Sequence, residues 1–449
     1  MGYCRHRGNV AGGMSVWTNP RRRRWIGWVV LATGFALFSF HRVSTSVIAD
    51  DLMRAFDTTG TELGVLHSSL FYIYALLQVP AGVFADRFGT RRVAAVGTLL
   101  MSAGVVAFAA SDGYVLAFAS RSIIGLGGSV IYISTLRYCA NWYRTDEFAT
   151  ITGVTSAMAG IGGILATTPL AVGVAEFGWR TTLAAVGVVG LGSAVAVFAG
   201  VRDTPADAGL PPIEGASPPS ETSFREAADH AKTVLADPLT WVLGAVFLSF
   251  VGTTFTVLGI WGVPFLVDRY GLSVRQASTY VLVGNLGFLF GPPAMGRLSD
   301  RLGVRAPIVA AAGACFAAGY GLLAVVGRPP LPVTGAVFFG ATFVGGAGFV
   351  TLTLVKDRHP AEASGSATGA VNSLGFVGVA ALPVVMGWLL DAFWTGAVVD
   401  GARVYTALGY RAAFAVAAAM GLVALGCSVW YWWATTRRSD RAQAQERSE

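Results

Sequence analysis

Long apolar runs alternate with short polar breaks along nearly the whole chain, and each run has the length of a lipid bilayer. A helix needs about 20 consecutive apolar residues to cross the hydrocarbon. Cutting the chain on that rule predicts helices near 25–47, 62–84, 93–111, 114–136, 149–175 and 181–201. A second set of six follows near 240–266, 275–296, 307–327, 332–355, 364–390 and 412–433. The break between the sets is different in kind. Asp203 to Pro219 is rich in Pro and Gly and reads as linker, while Ser220 to Asp237 is expected to form a short surface helix capped by Ser220 or Thr222. The chain thus divides into a tail at 1–24, a first half at 25–201, a linker at 202–238, a second half at 239–434 and a tail at 435–449.

The polar breaks carry a repeat. Gly82 to Arg92 reads Gly-Val-Phe-Ala-Asp-Arg-Phe-Gly-Thr-Arg-Arg, and Gly296 to Ala306 reads Gly-Arg-Leu-Ser-Asp-Arg-Leu-Gly-Val-Arg-Ala. Gly82, Asp86, Arg87, Gly89 and Arg91 thus return at the same spacing as Gly296, Asp300, Arg301, Gly303 and Arg305, with Arg92 added in the first copy. Two copies in matching positions of two hydrophobic halves point to a duplicated membrane transporter. Each copy reads as a tight turn in which Gly89 or Gly303 lets the backbone reverse. Asp86 and Asp300 are placed to pair with the arginines or to face a neighbouring helix N-terminus. A second repeat, Phe177-Gly178-Trp179-Arg180 and Leu408-Gly409-Tyr410-Arg411, opens the last helix of each half.

Composition agrees with immersion in lipid: 54% of residues are hydrophobic and 13% charged, with a mean hydropathy of +0.60, whereas soluble domains carry about 25% charged residues. The net charge of +7 rests on arginine, since Lys232 and Lys356 are the only lysines among 32 basic residues. No basic stripe calls for nucleic acid. With the N-terminus inside, 23 of the 32 fall in cytoplasmic segments and 7 in outer ones. That asymmetry puts both termini in the cytoplasm, which requires an even number of crossings. Arg21 to Arg24 abut a run of full membrane length, so no cleavable signal peptide is expected. Residues 1 to 20 are polar, Gly-rich and expected to be disordered. Cys4, Cys139, Cys315 and Cys427 show no metal or redox spacing.

Ionisable groups inside a membrane are costly and therefore functional candidates. His41 and Arg42 lie in the first span, Arg42 about 26 Å along it at 1.5 Å per residue; His67 lies early in the second span and Arg121 in the fourth. No carboxylate stands at matching depth, the nearest being Asp50, Asp51 and Glu62 near the outer ends. A cationic cavity without counter-charge favours an anionic substrate. Arg42 is its expected partner and Arg121 a second one, unless Arg42 snorkels outward or pairs with Asp50 or Glu62. His41 and His67 titrate near neutrality and are candidates to couple protons, against a plain role as hydrogen-bonded helix histidines. Tyr74, Tyr132, Trp261, Asn285 and Asn372 are further cavity candidates, with Tyr72 beside them. Gly153, Gly160, Gly162 and Gly163 before Pro169, and Gly365, Gly369, Gly375 and Gly378 before Pro383, suit close helix packing and bending.

The repeated loop resembles the signature loop of the major facilitator superfamily, which joins membrane helices 2 and 3 and recurs weakly between 8 and 9. The resemblance covers nearly the whole chain. It implies an all-α membrane fold of twelve transmembrane helices in two pseudo-symmetric six-helix bundles, enclosing a cavity that opens alternately to either side of the plasma membrane. It also implies a monomer that is not an enzyme and uses neither cofactor nor metal. Phe40-His41-Arg42-Val43-Ser44 before Asp51-Leu52, Tyr72-Ile73-Tyr74-Ala75 with Gln78-Val79-Pro80-Ala81-Gly82, and Asn141-Trp142-Tyr143 resemble the anion:cation symporter and sugar-phosphate permease branch. That branch moves organic anions, and several members use an Arg at the position of Arg42. Organophosphate antiporters add an Arg on helix 7, but Val242 to Leu266 holds no basic residue, which leaves monocarboxylates, sugar acids or amino acids.

The expectation is a proton-driven secondary transporter of a small organic anion. An exporter of cationic drugs would be expected to place a carboxylate mid-span, and a non-transporting sensor would need a partner-binding segment. An ATP-driven pump would need a Gly-x-x-x-x-Gly-Lys-Ser/Thr loop, which is missing, and the two-fold repeat disfavours a channel.

Overall fold

A computed structural model describes residues 19–216, 229, 232–360, 363–399 and 401–446. Residues 1–18 and most of the surface helix expected at 220–237 fall outside the described residues, as does the side chain of Asp86. Among the described residues twelve long helical rods carry the fold, here α1 (Pro20–Val43), α2 (Gly60–Phe88), α3 (Thr90–Ala109), α4 (Tyr114–Trp142), α5 (Thr145–Phe177), α6 (Trp179–Gly200), α7 (Pro238–Tyr270), α8 (Val274–Leu302), α9 (Arg305–Val326), α10 (Leu331–Arg358), α11 (Ser364–Ala392) and α12 (Ala407–Glu446). Ten of them are long and apolar enough to cross a membrane. The remaining two, α2 and α8, are 29 residues each and hold the polar motif at their ends.

Local chemistry sets the helix boundaries. α2 and α8, which correspond between the halves, both start on a capping box: Thr59 with Glu62, and Ser273 with Gln276. Both end at the repeated loop, where Gly89 (φ +80°) and Gly303 (φ +65°) hold a backbone conformation that other residues resist. The first turn is tied to the linker, because Asp203 accepts from the Arg91 N–H at 2.6 Å while the Arg91 side chain reaches the Phe198 carbonyl. In the second turn Arg305 pairs with Asp300 and Asp357. Arg87 lies over the Phe88 ring, and Arg92 and Arg301 are exposed.

Two differences from the sequence pattern stand out. The segment after α11 is not plain loop: Trp394–Val399 (β1) and Ala402–Tyr405 (β2) pair as an antiparallel hairpin. Trp394, Thr395, Val398, Val399, Val404 and Tyr405 are β-branched or aromatic and favour strands on either side of Gly401, a signal that hydropathy counting does not read. The last helix also runs beyond its apolar stretch to Glu446, since the Ala, Gln, Arg and Glu that follow are good helix formers.

Neighbouring rods pack so closely that side chains are excluded at the crossings. A Cβ on Gly162 would sit 2.1 Å from the Ala36 carbonyl oxygen of α1, and one on Gly125 2.2 Å from the Leu70 carbonyl oxygen of α2. Contacts between the halves gather at the end of the molecule opposite the chain termini. There the Ser46 hydroxyl accepts from the Val263 N–H, Thr168 meets Thr279, and Gly387 abuts Gly60. On α5 and α11 the glycines near that far end, Gly160, Gly163 and Gly387, touch the opposite half, while Gly153, Gly365 and Gly369 near the termini have open space before them. The bundles are therefore closed at the far end and splayed at the end carrying the termini.

Candidate functional site

Arg42 occupies the last turn of α1, where the rod gives way to a 3-10 turn at Ser44–Ser46. Its side chain does not snorkel, being 6% exposed. Nor does it pair with the carboxylates nearest in sequence: Asp51 pairs with Arg54 at 3.1 Å, and Glu62 is spent on its capping box. Instead the guanidinium carbon lies 4.2 Å from the ring centre of Phe255 on α7, 5.2 Å from Phe376 on α11 and 5.8 Å from Phe38 on its own helix. Tyr74 completes the wall, stacked on Phe38 at 5.2 Å and against Phe376 at 4.4 Å. Rings attract the cation by their quadrupoles, about 2 kcal/mol when desolvated, but they accept no hydrogen bond in its plane. The Arg42 Nε is buried without a hydrogen-bond partner among the described residues.

Arg121 behaves differently. It is 1% exposed, and its Nε donates to the Leu66 carbonyl at 3.0 Å, fastening α4 to α2, while its Nη2 finds no partner among the described residues. His67, next to Leu66, is fully buried with neither ring nitrogen hydrogen-bonded among the described residues, and its ring packs against Phe71. A Cβ on Gly259 of α7 would lie 3.1 Å from the Arg42 carbonyl oxygen and 3.3 Å from His67 Nε2, so the histidine lies against the opposite half beside Arg42. His41 is also buried, edge-on to Phe40, and both histidines lie in the field of Arg121. Arg42, Tyr74, His41, His67 and Arg121 are thus gathered in the far half of the first bundle.

The other candidates stand at differing distances from this group. Tyr132 bonds Ser156 at 3.2 Å and lies on Phe35. Asn372 stands one turn before Phe376 on α11, partly exposed. Trp261 donates to the Pro383 carbonyl and meets Tyr405, both within the second half, and the oxygen of Asn285 faces Gly163 across the halves. The repeated loops, at the opposite end, are likewise remote from Arg42.

Sequence reasoning missed the cage. Phe38 lies four residues before Arg42 on one helix face and was within reach of a pattern search, whereas Phe255 and Phe376 arrive from the other half. Asp268 was also missed because α7 runs to Tyr270, past the expected end at 266. Its carboxylate accepts from the Tyr410 hydroxyl at 2.7 Å. Nearby Asp50, in the short helix Ala49–Phe56, is raised to about 6 by burial and then by Asp268 and Asp51.

A family model described as Major Facilitator Superfamily matches residues 29–383. The chain belongs to this superfamily. Its superfamily relatives include the membrane sensor protein UhpC of Salmonella typhimurium, 26% identical over 403 residues that cover 84% of this chain and 88% of that protein. A probable hexose phosphate transport protein of Chlamydia pneumoniae is 26% identical, with 61% of this chain and 64% of that protein covered. The hexuronate transporter of Bacillus subtilis is 26% identical, with 58% and 60% covered. Among solved structures, a bacterial homologue of the human lysosomal transporter Spinster, inward-facing and unoccupied, superposes with a TM-score of 0.71 at 18% identity over 91% of this chain and 97% of that one. The chain is thus a multi-pass membrane transporter of the superfamily fold, not an enzyme.

Proposed function

We propose that the chain carries a small organic anion by alternating access, with protons as the coupling ion, both termini in the cytoplasm and the monomer as the working unit. The observation that carries this reading is Arg42: a buried guanidinium walled by aromatic rings, with a buried N–H that no described residue accepts. A buried charge without a partner costs several kcal/mol, and an anion's oxygens supply what the rings lack. Hydrophobic walls around one charge suit a singly charged head with a partly apolar body, hence a carboxylate or sugar acid before a phosphate dianion. The hexuronate relative agrees with that choice, and the hexose phosphate relative makes phosphate esters the necessary comparison. The basic residues concentrated at the termini end support a cytoplasmic position for the splayed side.

A thermal-shift screen of purified protein against monocarboxylates, hexuronates, amino acids, hexose phosphates and lipophilic cations tests the anion reading. A ligand at a hundred times its dissociation constant stabilises the native state by about 2.7 kcal/mol. Stabilisation by an acid supports the reading; stabilisation by cations alone overturns it. Similarity to a membrane sensor favours a second reading in which the anion is bound but not moved. Binding without uptake into proteoliposomes would decide for that one.

We assign proton coupling to His67, with His41 as the second candidate. A fully buried imidazole next to Arg121, with no acceptor among the described residues, is a poor place for a second positive charge, and an anion on Arg42 is what makes the protonated form tolerable. His67→Gln is expected to leave ligand stabilisation intact while uptake ceases to rise with external acidity. Unchanged acid stimulation in His67→Gln would remove His67 from the coupling.

A further inference from the structure

The far-end closure is fastened by charge between α11 and α2. Asp391, in the last turn of α11, reaches across to the first turn of α2. Its Oδ1 accepts from the Gly60 N–H at 2.8 Å, and its Oδ2 accepts from the Thr61 N–H at 2.7 Å and the Thr61 hydroxyl at 2.6 Å. Helix N-termini leave N–H groups without intrahelical acceptors and carry a positive end of the macrodipole. α2 already uses Thr59 as its own cap, so Asp391 serves N–H groups that the local cap leaves over. The cap comes from the opposite half, which is what sets it apart from an ordinary helix start.

Two further features make this contact a switch in place of a fixed strut. Glycine backbones let the rods meet, since a Cβ on Gly387 would sit 2.3 Å from the Gly60 carbonyl oxygen and one on Gly64 2.6 Å from that of Pro383. The carboxylate also has a neighbour on its own side: Arg403 of β2 stands 3.5 Å from Oδ1, itself lying over the Trp394 ring. The hairpin that carries Arg403 leans on the first half, where Gly401 touches Arg54 and Tyr405 reaches the Met53 sulfur.

We propose that Asp391 is the clasp of the far-side gate. It holds the cavity shut on that side by capping α2 from the other half, and it is handed to Arg403 when the halves part. The closed state keeps three short hydrogen bonds; the open state keeps one ion pair within the second half. Arg403 thereby lowers the cost of opening, because Asp391 is never left as a lone charge.

The test uses the full-length protein in lipid nanodiscs, without substrate. Spin labels at Phe177 and Arg275, exposed ends of α5 and α8, report the far end, and labels at Thr150 and Leu302 report the termini end. Double electron–electron resonance on Asp391→Asn is expected to show a rise of order tenfold in the far-end-open population, the scale of losing one charge-assisted hydrogen bond. The termini-end distance should shorten in step. Arg403→Gln is expected to move both distributions the opposite way. Reciprocal change at the two ends also shows that the variant is folded, since an unfolded chain broadens both. Asp391→Asn distributions that superimpose on wild type would overturn the clasp, and broadening at both ends would make Asp391 a folding residue instead. An Arg403→Gln shift in the same direction as Asp391→Asn would overturn the hand-over.

Discussion

Replacing Arg42 with glutamine should reduce uptake of the transported acid at least about thirtyfold and abolish the thermal shift that acid produces. The unliganded protein should melt no lower than wild type. Both results follow from the same geometry. Removing one member of a buried, hydrogen-bonded charge pair costs about 2–5 kcal/mol, and in this site the missing member's partner is the ligand. In the unliganded protein, by contrast, the charge has rings for neighbours and no carboxylate partner among the described residues, so its removal relieves a burial cost that cation–π attraction only partly offsets. A structural arginine would behave the other way: its loss would lower the melting temperature and leave any ligand shift in place. Arg42→Lys keeps the charge but not the planar fork that meets two oxygens at once, and an ammonium is more strongly hydrated than a guanidinium. It should recover less than a tenth of wild-type uptake. Retained uptake in Arg42→Gln, or a lowered melting point with the ligand shift intact, would make Arg42 a packing residue.

The parts of the molecule that were legible in the sequence share one property: a local rule writes them. Span lengths follow from bilayer thickness, so the twelve rods were visible as runs of residues. The repeated loop was visible because a turn needs glycine at a fixed place, and Gly89 and Gly303 do carry positive φ. Arg42 and His67 were visible as costly residues in an apolar setting. What remained hidden depends on residues far apart in the chain. Phe255 and Phe376 look like ordinary lipid-phase phenylalanines until α7 and α11 bring them to Arg42. Asp391 reads as a helix-end carboxylate near water, and nothing in its neighbours says that it serves α2. Trp261 and Asn285 are cavity candidates by their chemistry; in this structure Trp261 donates to the Pro383 carbonyl and the Asn285 oxygen faces Gly163 across the halves. In an alternating-access protein many such residues line the cavity in one state and the seal in the other, so type and depth alone do not assign them.

Glycines make the same distinction between fold and cycle, and they support a prediction with an effect as large as that of Arg42. Gly162→Leu should yield almost no folded protein, while Gly387→Leu should yield normal amounts of folded protein that does not turn over. Each added side chain meets backbone, which no rotamer change can relieve. The Cβ on Gly162 would press on Ala36 and Phe40 of α1, within its own bundle, at 2.1 and 2.9 Å. That crossing exists in every state of the transporter, so the strain falls on the fold itself. The Cβ on Gly387 would press on Gly60 and Thr61 of α2, in the other bundle, at 2.3 to 3.0 Å. That crossing exists only while the far end is closed. Overpacking costs about 1–3 kcal/mol even where side chains can adjust, and about 3 kcal/mol is already more than a hundredfold in the balance of states. Gly387→Leu should therefore stand open at the far end, with its α5–α8 label pair at the long distance, and uptake should fall to background. Size-exclusion profiles of the solubilised variants give the yields, and proteoliposome uptake gives the turnover. Wild-type uptake by Gly387→Leu would mean that α2 and α11 close without this contact. A normal yield of Gly162→Leu would mean that the first bundle tolerates a wider crossing of α1 and α5 than its backbone contacts imply.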